Sequence, residues 1–76
     1  MFKDLVEYIV KSLVDNPDVV VVEEISGDDS IVLELQVAES DTGRVIGRNG
    51  RVINAIRNIV QALAVKEGKR VSVEVV

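Results

Sequence analysis

Apolar positions along this chain change their spacing several times, and each change marks an element. Phe2, Leu5, Val6, Ile9 and Leu13 recur at helical intervals, with Val10 and Val14 widening the stripe. Lys3, Asp4, Glu7, Lys11 and Ser12 fill the other positions. That period predicts an amphipathic helix over residues 3–15. Asn16-Pro17 should end it, because a residue before proline avoids the helical region. A β-branched run over residues 19–25 predicts a strand. Ser26, Gly27, Asp28, Asp29 and Ser30 form a turn signal before a second strand-like run, so a hairpin is expected. Over residues 31–38, Ile31, Leu33, Leu35 and Val37 alternate with Glu34 and Gln36. Period two with one polar face describes a half-buried strand.

The second half begins with a short helix over Thr42–Ile46, which Ser40 or Asp41 can cap. Gly47 to Gly50 reads as a loop. A longer helix follows over Arg51–Lys66. Its expected apolar face is Ile53, Ile56, Val60 and Leu63, widened by Val52, Ile59 and Ala64. Asn54, Arg57, Asn58 and Gln61 make its polar face. Gly68 suits the C-terminal cap, and Val71, Val73 and Val75 alternate in a last strand. Helix, two strands, two helices and a strand give an α+β fold, α-β-β-α-α-β. Its three strands would form one sheet with the helices packed on one face. No repeat or linker divides the chain, so residues 1–76 are read as one domain.

Composition narrows the chemistry. At 76 residues with 47% apolar side chains, mostly Val, Ile and Leu, the chain has one small core to build. A domain of this size buries only about 60% of the surface its unfolded form exposes. There is no Cys and no His. Disulfides, thiolate metal sites, the commonest zinc ligand and the commonest general base are therefore absent. The acidic pairs Glu23-Glu24 and Asp28-Asp29 are read as solvated charges, because hard-cation sites need several converging oxygens. The serines have no histidine to activate them. The glycines match neither the dinucleotide fingerprint nor the P-loop. No enzymatic activity, cofactor, metal or small-molecule substrate is expected. No apolar run reaches the ~20 residues needed to span a bilayer, and the N-terminus lacks a signal-peptide layout. A cytoplasmic protein without membrane contact is the expectation.

The formal charge of −4 conceals a split. Residues 1–41 hold 11 acidic and 2 basic side chains, whereas residues 42–76 hold 7 basic and 2 acidic. From Thr42 to Lys66 no acidic residue occurs, while Arg44, Arg48, Arg51, Arg57 and Lys66 all do. Charges beyond a Debye length of ~8 Å are largely screened, so the local basic patch matters more than the sum. Within that patch Gly47 and Gly50 bracket Arg48 and Asn49. Glycine permits a tight turn and close approach of a ligand. A turn opening into a helix also presents free N–H groups to a phosphate.

These residues carry a resemblance. Gly43-Arg44-Val45-Ile46-Gly47-Arg48-Asn49-Gly50-Arg51, with Ile53 behind it and placed between two helices, resembles the signature of a type II KH domain. The chain is most similar to the small single-domain bacterial KH proteins of the KhpA family, over essentially its whole length. The resemblance implies that the protein clamps about four nucleotides of single-stranded RNA between the glycine loop and an apolar groove. Gly47 and Gly50 would admit the sugar-phosphate backbone. Arg48 and Asn49 would face phosphates, with Arg44 and Arg51 nearby. Val45, Ile46 and Ile53 would line the groove floor, a role that ordinary core packing rivals. Residues 35–37 would form the far wall. Arg57 is read as a solvent-facing charge. With Phe2 and Tyr8 the only aromatics, stacking worth ~1–3 kcal/mol per base is not available near the motif. Binding is expected to be micromolar rather than nanomolar. The resemblance further implies an RNA chaperone or post-transcriptional regulator that pairs with itself or with a larger KH-containing protein. The alternatives are a protein-interaction module on the same scaffold and a ribosome-associated assembly factor.

Overall fold

The computed structural model describes residues 1–76. Its elements run α1 (Phe2–Leu13), β1 (Val21–Ser26), β2 (Ser30–Gln36), α2 (Thr42–Ile46), α3 (Arg51–Lys66) and β3 (Arg70–Val75). The α+β order expected from the periodicity is the one observed. Several boundaries differ: the second strand runs Ser30–Gln36 and leaves out Val37 and Ala38, and the ends of α1 and β1 also shift. Helix α1 stops two residues early, because Val14 turns extended and Asp15 and Asn16 donate their N–H groups to Asp41. Val19, expected in the first strand, lies instead in a 3-10 turn over Pro17–Val19. Proline's fixed φ suits the first position of such a turn.

The sheet order is β1-β2-β3. β1 and β2 form the expected antiparallel hairpin, closed by Gly27 N–H donating to the Ser30 carbonyl at 2.7 Å. β2 and β3 are parallel, which requires the crossover that α2 and α3 supply. Val22, Ile31, Leu33, Leu35, Val71 and Val73 face the helices in a core of 15 buried residues. Phe2, Val6 and Val10 of α1 meet them, with Ile53, Ile56, Val60 and Ala64 of α3. Burying one aliphatic side chain is worth about 1.5–3 kcal/mol, so this stripe sets how α3 sits on the sheet. The stripe is narrower than the expected one. Ile59 and Leu63 lie outside it, 50% and 44% exposed. No helix is long and apolar enough to cross a membrane.

The other face of the sheet is open. There Glu23 stands opposite Glu34, and Glu34 opposite Glu74, one glutamate on each strand. Like charges directly opposed across strands repel one another and any approaching anion. This row of three glutamates lies on the face of the sheet opposite the helices and the glycine loop.

Candidate nucleic-acid interface

Helix α2 leaves the end of β2 through a 3-10 turn over Glu39–Asp41. Asp41 occupies the N-cap position, yet its side chain makes no bond to α2. Its buried carboxylate accepts the Asp15 N–H at 3.1 Å, the Asn16 N–H at 3.0 Å and the Asn16 Nδ2 at 3.2 Å. The expected cap is therefore a tie between the start of α2 and the chain leaving α1. Burial pushes the Asp41 carboxyl up, but these hydrogen bonds and the Arg44 charge outweigh it and hold the group below 3.8. A depressed folded-state pKa stabilises the fold above the unfolded value and ceases to do so as pH falls through the folded one. Urea titrations of the wild type and Asp41→Asn should therefore show a wild-type advantage that is constant near neutral pH and is lost progressively as pH falls through the carboxylate range. An advantage already fading near neutral pH would contradict this assignment.

After Ile46 the chain makes its sharpest change. Gly47 has φ 77° and ψ 171°, Asn49 φ 58° and ψ 27°, and Gly50 φ 75° and ψ 16°. The expected loop is thus a tight turn over Arg48–Gly50, closed by the Gly50 N–H donating to the Gly47 carbonyl at 3.2 Å. A β-carbon on Gly47 would lie 2.5 Å from Val52 Cγ2 and 2.8 Å from Val52 N, so no other residue fits without a shift. Asn49 is the only non-glycine residue with positive φ, a conformation that asparagine tolerates better than most. The turn leaves the Arg48 and Asn49 side chains exposed. Together with Arg51, Asn54, Ala55 and Asn58 they line an open cleft of about 640 Å³.

The remaining residues of the motif divide by location. Arg44 does not reach the cleft; it pairs with Asp15 at 3.6 Å, and both side chains are exposed. A surface pair of this kind contributes little. Val45 is fully buried and Ile53 is 5% exposed. Val45, expected on the groove floor, belongs to the core instead, and Ile53 takes the core packing that rivals that role. Ile46 and Val52 are the half-buried apolar residues flanking the loop, packed against that core. Val52 fits the helical stripe, and its proximity to Gly47 leaves no signal in the spacing. The expected far wall also changes. β2 is the central strand, and Leu35 is buried and in register with both Val22 and Val75. Its backbone is committed to the ladders. The strand with a free edge beside α3 is β3.

Arg57, read as a solvated charge, holds that edge. Its Nε donates to the Val73 carbonyl at 3.0 Å and its Nη1 to Asn54 Oδ1 at 3.3 Å. Gln61 Oε1 accepts the Val71 N–H at 3.1 Å. Side chains from α3 thus satisfy outward-facing groups of an edge strand, which otherwise invites pairing.

Comparison with known proteins identifies the family. A family model described as KhpA/KhpB, KH domain, matches residues 3–75. The chain belongs to the KhpA/KhpB KH-domain family. Among its relatives is the RNA-binding protein KhpA of Clostridium acetobutylicum, 57% identical over 97% of this chain and 99% of its own length. The protein of that name from Caldanaerobacter subterraneus subsp. tengcongensis is 56% identical, over 96% of this chain and 97% of its own. The KhpA of Aquifex aeolicus is 48% identical, over 96% and 92%. No solved structure gave a significant match.

Proposed function

We propose that this protein binds single-stranded RNA, gripping its backbone at Gly47-Arg48-Asn49-Gly50. It would act as an RNA chaperone or post-transcriptional regulator in the bacterial cytoplasm. One observation carries the reading. The positive-φ turn exposes Arg48 and Asn49 over a cleft that Arg51 also lines, on a stretch without acidic residues, while the open sheet face carries aligned glutamates. The relatives' names, RNA-binding protein KhpA, support it. Phosphate oxygens fit donors on a tight glycine turn, and the sheet would repel them. The protein supplies binding and no catalytic step.

With few contacts in one shallow site, a second linked site would raise affinity through effective concentration. We therefore infer pairing with a second copy or a larger KH-containing chain. Ile59 and Leu63, left exposed on α3, offer an apolar surface for it. Ala55 lines the cleft and stands one helical turn before Ile59, so pairing and RNA binding would compete for α3.

The test is a titration of labelled single-stranded RNA at several salt concentrations. Two to three phosphate contacts predict a log–log slope of about −1.4 to −2.1. A flat response, or no binding at low salt, would overturn the RNA reading and favour a protein partner for this face.

A further inference from the structure

Asn54 stands near the start of α3, exposed, on the wall of the cleft that Arg48, Asn49 and Arg51 share. The two ends of its amide have different surroundings. Oδ1 accepts from Arg57 Nη1 at 3.3 Å. Arg57 is itself anchored, because its Nε donates to the Val73 carbonyl on the free edge of β3. The oxygen end of the amide is thereby turned toward the sheet and the nitrogen end toward the loop. A β-carbon placed on Gly50 would lie 3.3 Å from Asn54 Nδ2. That nitrogen carries two donor hydrogens and has no acceptor within the chain.

We propose that Asn54 Nδ2 binds a phosphate oxygen of the RNA at the Gly50 side of the loop, and that Arg57 is the positioning residue that holds the amide in this donating orientation. The inference rests on the RNA reading of the loop above. The chemistry selects phosphate over base. Asparagine reads adenine by using its donor and its acceptor together. Here the oxygen already accepts a bond from Arg57, whereas neither hydrogen of the donor has a partner in the chain. A phosphodiester presents acceptors alone, so a donor-only group matches it. The donor also lies beside the glycine that lets a backbone approach, in a cleft lined by Arg48 and Arg51, which would share the phosphate charge.

The test measures binding of labelled oligouridine, oligoadenosine and oligocytidine by fluorescence anisotropy. Asn54→Asp keeps the shape and replaces the donating amide with a charged acceptor. It should weaken binding at least about tenfold on all three RNAs alike. Asn54→Ser, which removes the amide without adding charge, should also weaken all three alike, and stands in if the first variant does not fold. Arg57→Lys keeps the charge but not the fork that reaches both Val73 and Asn54. It should weaken binding in the wild type and add nothing to Asn54→Asp.

If Asn54→Asp binds as the wild type does while Arg48→Asp/Asn49→Asp does not bind, the RNA reading stands and the role of Asn54 falls. A loss confined to one homopolymer would mean base reading and overturn the phosphate assignment. Losses from Arg57→Lys that add in full to Asn54→Asp would overturn its positioning role. A wild type that binds none of the three overturns both readings.

Discussion

Arg48→Asp/Asn49→Asp should bind single-stranded RNA at least about a hundredfold more weakly than the wild type, with its fold intact. A hydrogen bond to a charged group is worth about 1.5–3 kcal/mol, and two of them are lost together. Each 1.4 kcal/mol is a factor of ten in affinity, so two lost bonds amount to a hundredfold or more before any repulsion is counted. The substitutions also place two negative charges where phosphates would lie. Folding should change little. Both side chains are exposed and lie outside the core, where a substitution costs under about 0.5 kcal/mol. Aspartate also tolerates the left-handed backbone that Asn49 adopts. Anisotropy titrations and a thermal melt check both halves. Wild-type affinity in the variant would remove these residues from the interface. A variant that unfolds would instead make the turn a structural element rather than a ligand clamp.

How far the sequence could anticipate the structure follows from what periodicity measures. A period of 3.6 or 2 reports that one side of an element is apolar, and that was enough for α1, α3, the hairpin and β3. It does not report which neighbour covers the side. Val45 and Ile46 are adjacent and equally apolar, yet the first is wholly buried and the second half-buried on the surface beside the loop. Ile59 and Leu63 fit the same helical stripe as Val60, yet only Val60 is buried. Long-range polar bonds leave even less trace. Asp41 has the sequence position of a helix cap, and its partners lie 25 and 26 residues away. Arg57 has the spacing of a solvated charge, and its carbonyl partner is 16 residues further along the chain. The glycine motif was legible because its requirement is local. Its backbone angles belong to the turn itself, and so does the order of residues that supplies them.

Gly47→Ala should destabilise the protein by about 3 kcal/mol, whereas Gly50→Ala should cost only about 1–2 kcal/mol. Both glycines have positive φ, but their surroundings differ. Gly47, at φ 77° and ψ 171°, lies in a region that is essentially closed to other residues and costs about 1–3 kcal/mol when forced. An alanine methyl there would also meet Val52 Cγ2 at 2.5 Å and the Val52 backbone nitrogen at 2.8 Å. Backbone cannot yield as a side-chain tip can, so the first turn of α3 must move. Gly50, at φ 75° and ψ 16°, occupies the left-handed helical region, where an L-residue pays about 1–2 kcal/mol. Its nearest neighbour is the Asn54 amide at 3.3 Å, the end of a side chain that can rotate. Against a total of about 5–15 kcal/mol for a small domain, the Gly47 change is a large fraction of the stability. Urea unfolding of the two variants beside the wild type measures both costs. Equal costs would show that the contact of Gly47 with Val52 does not constrain the turn. The ordering has a functional side. Gly50→Ala would reach the RNA site through Asn54 while leaving the fold largely in place, whereas Gly47→Ala would disturb the base of the whole turn, so only the Gly50 variant can separate a loss of grip from a loss of structure.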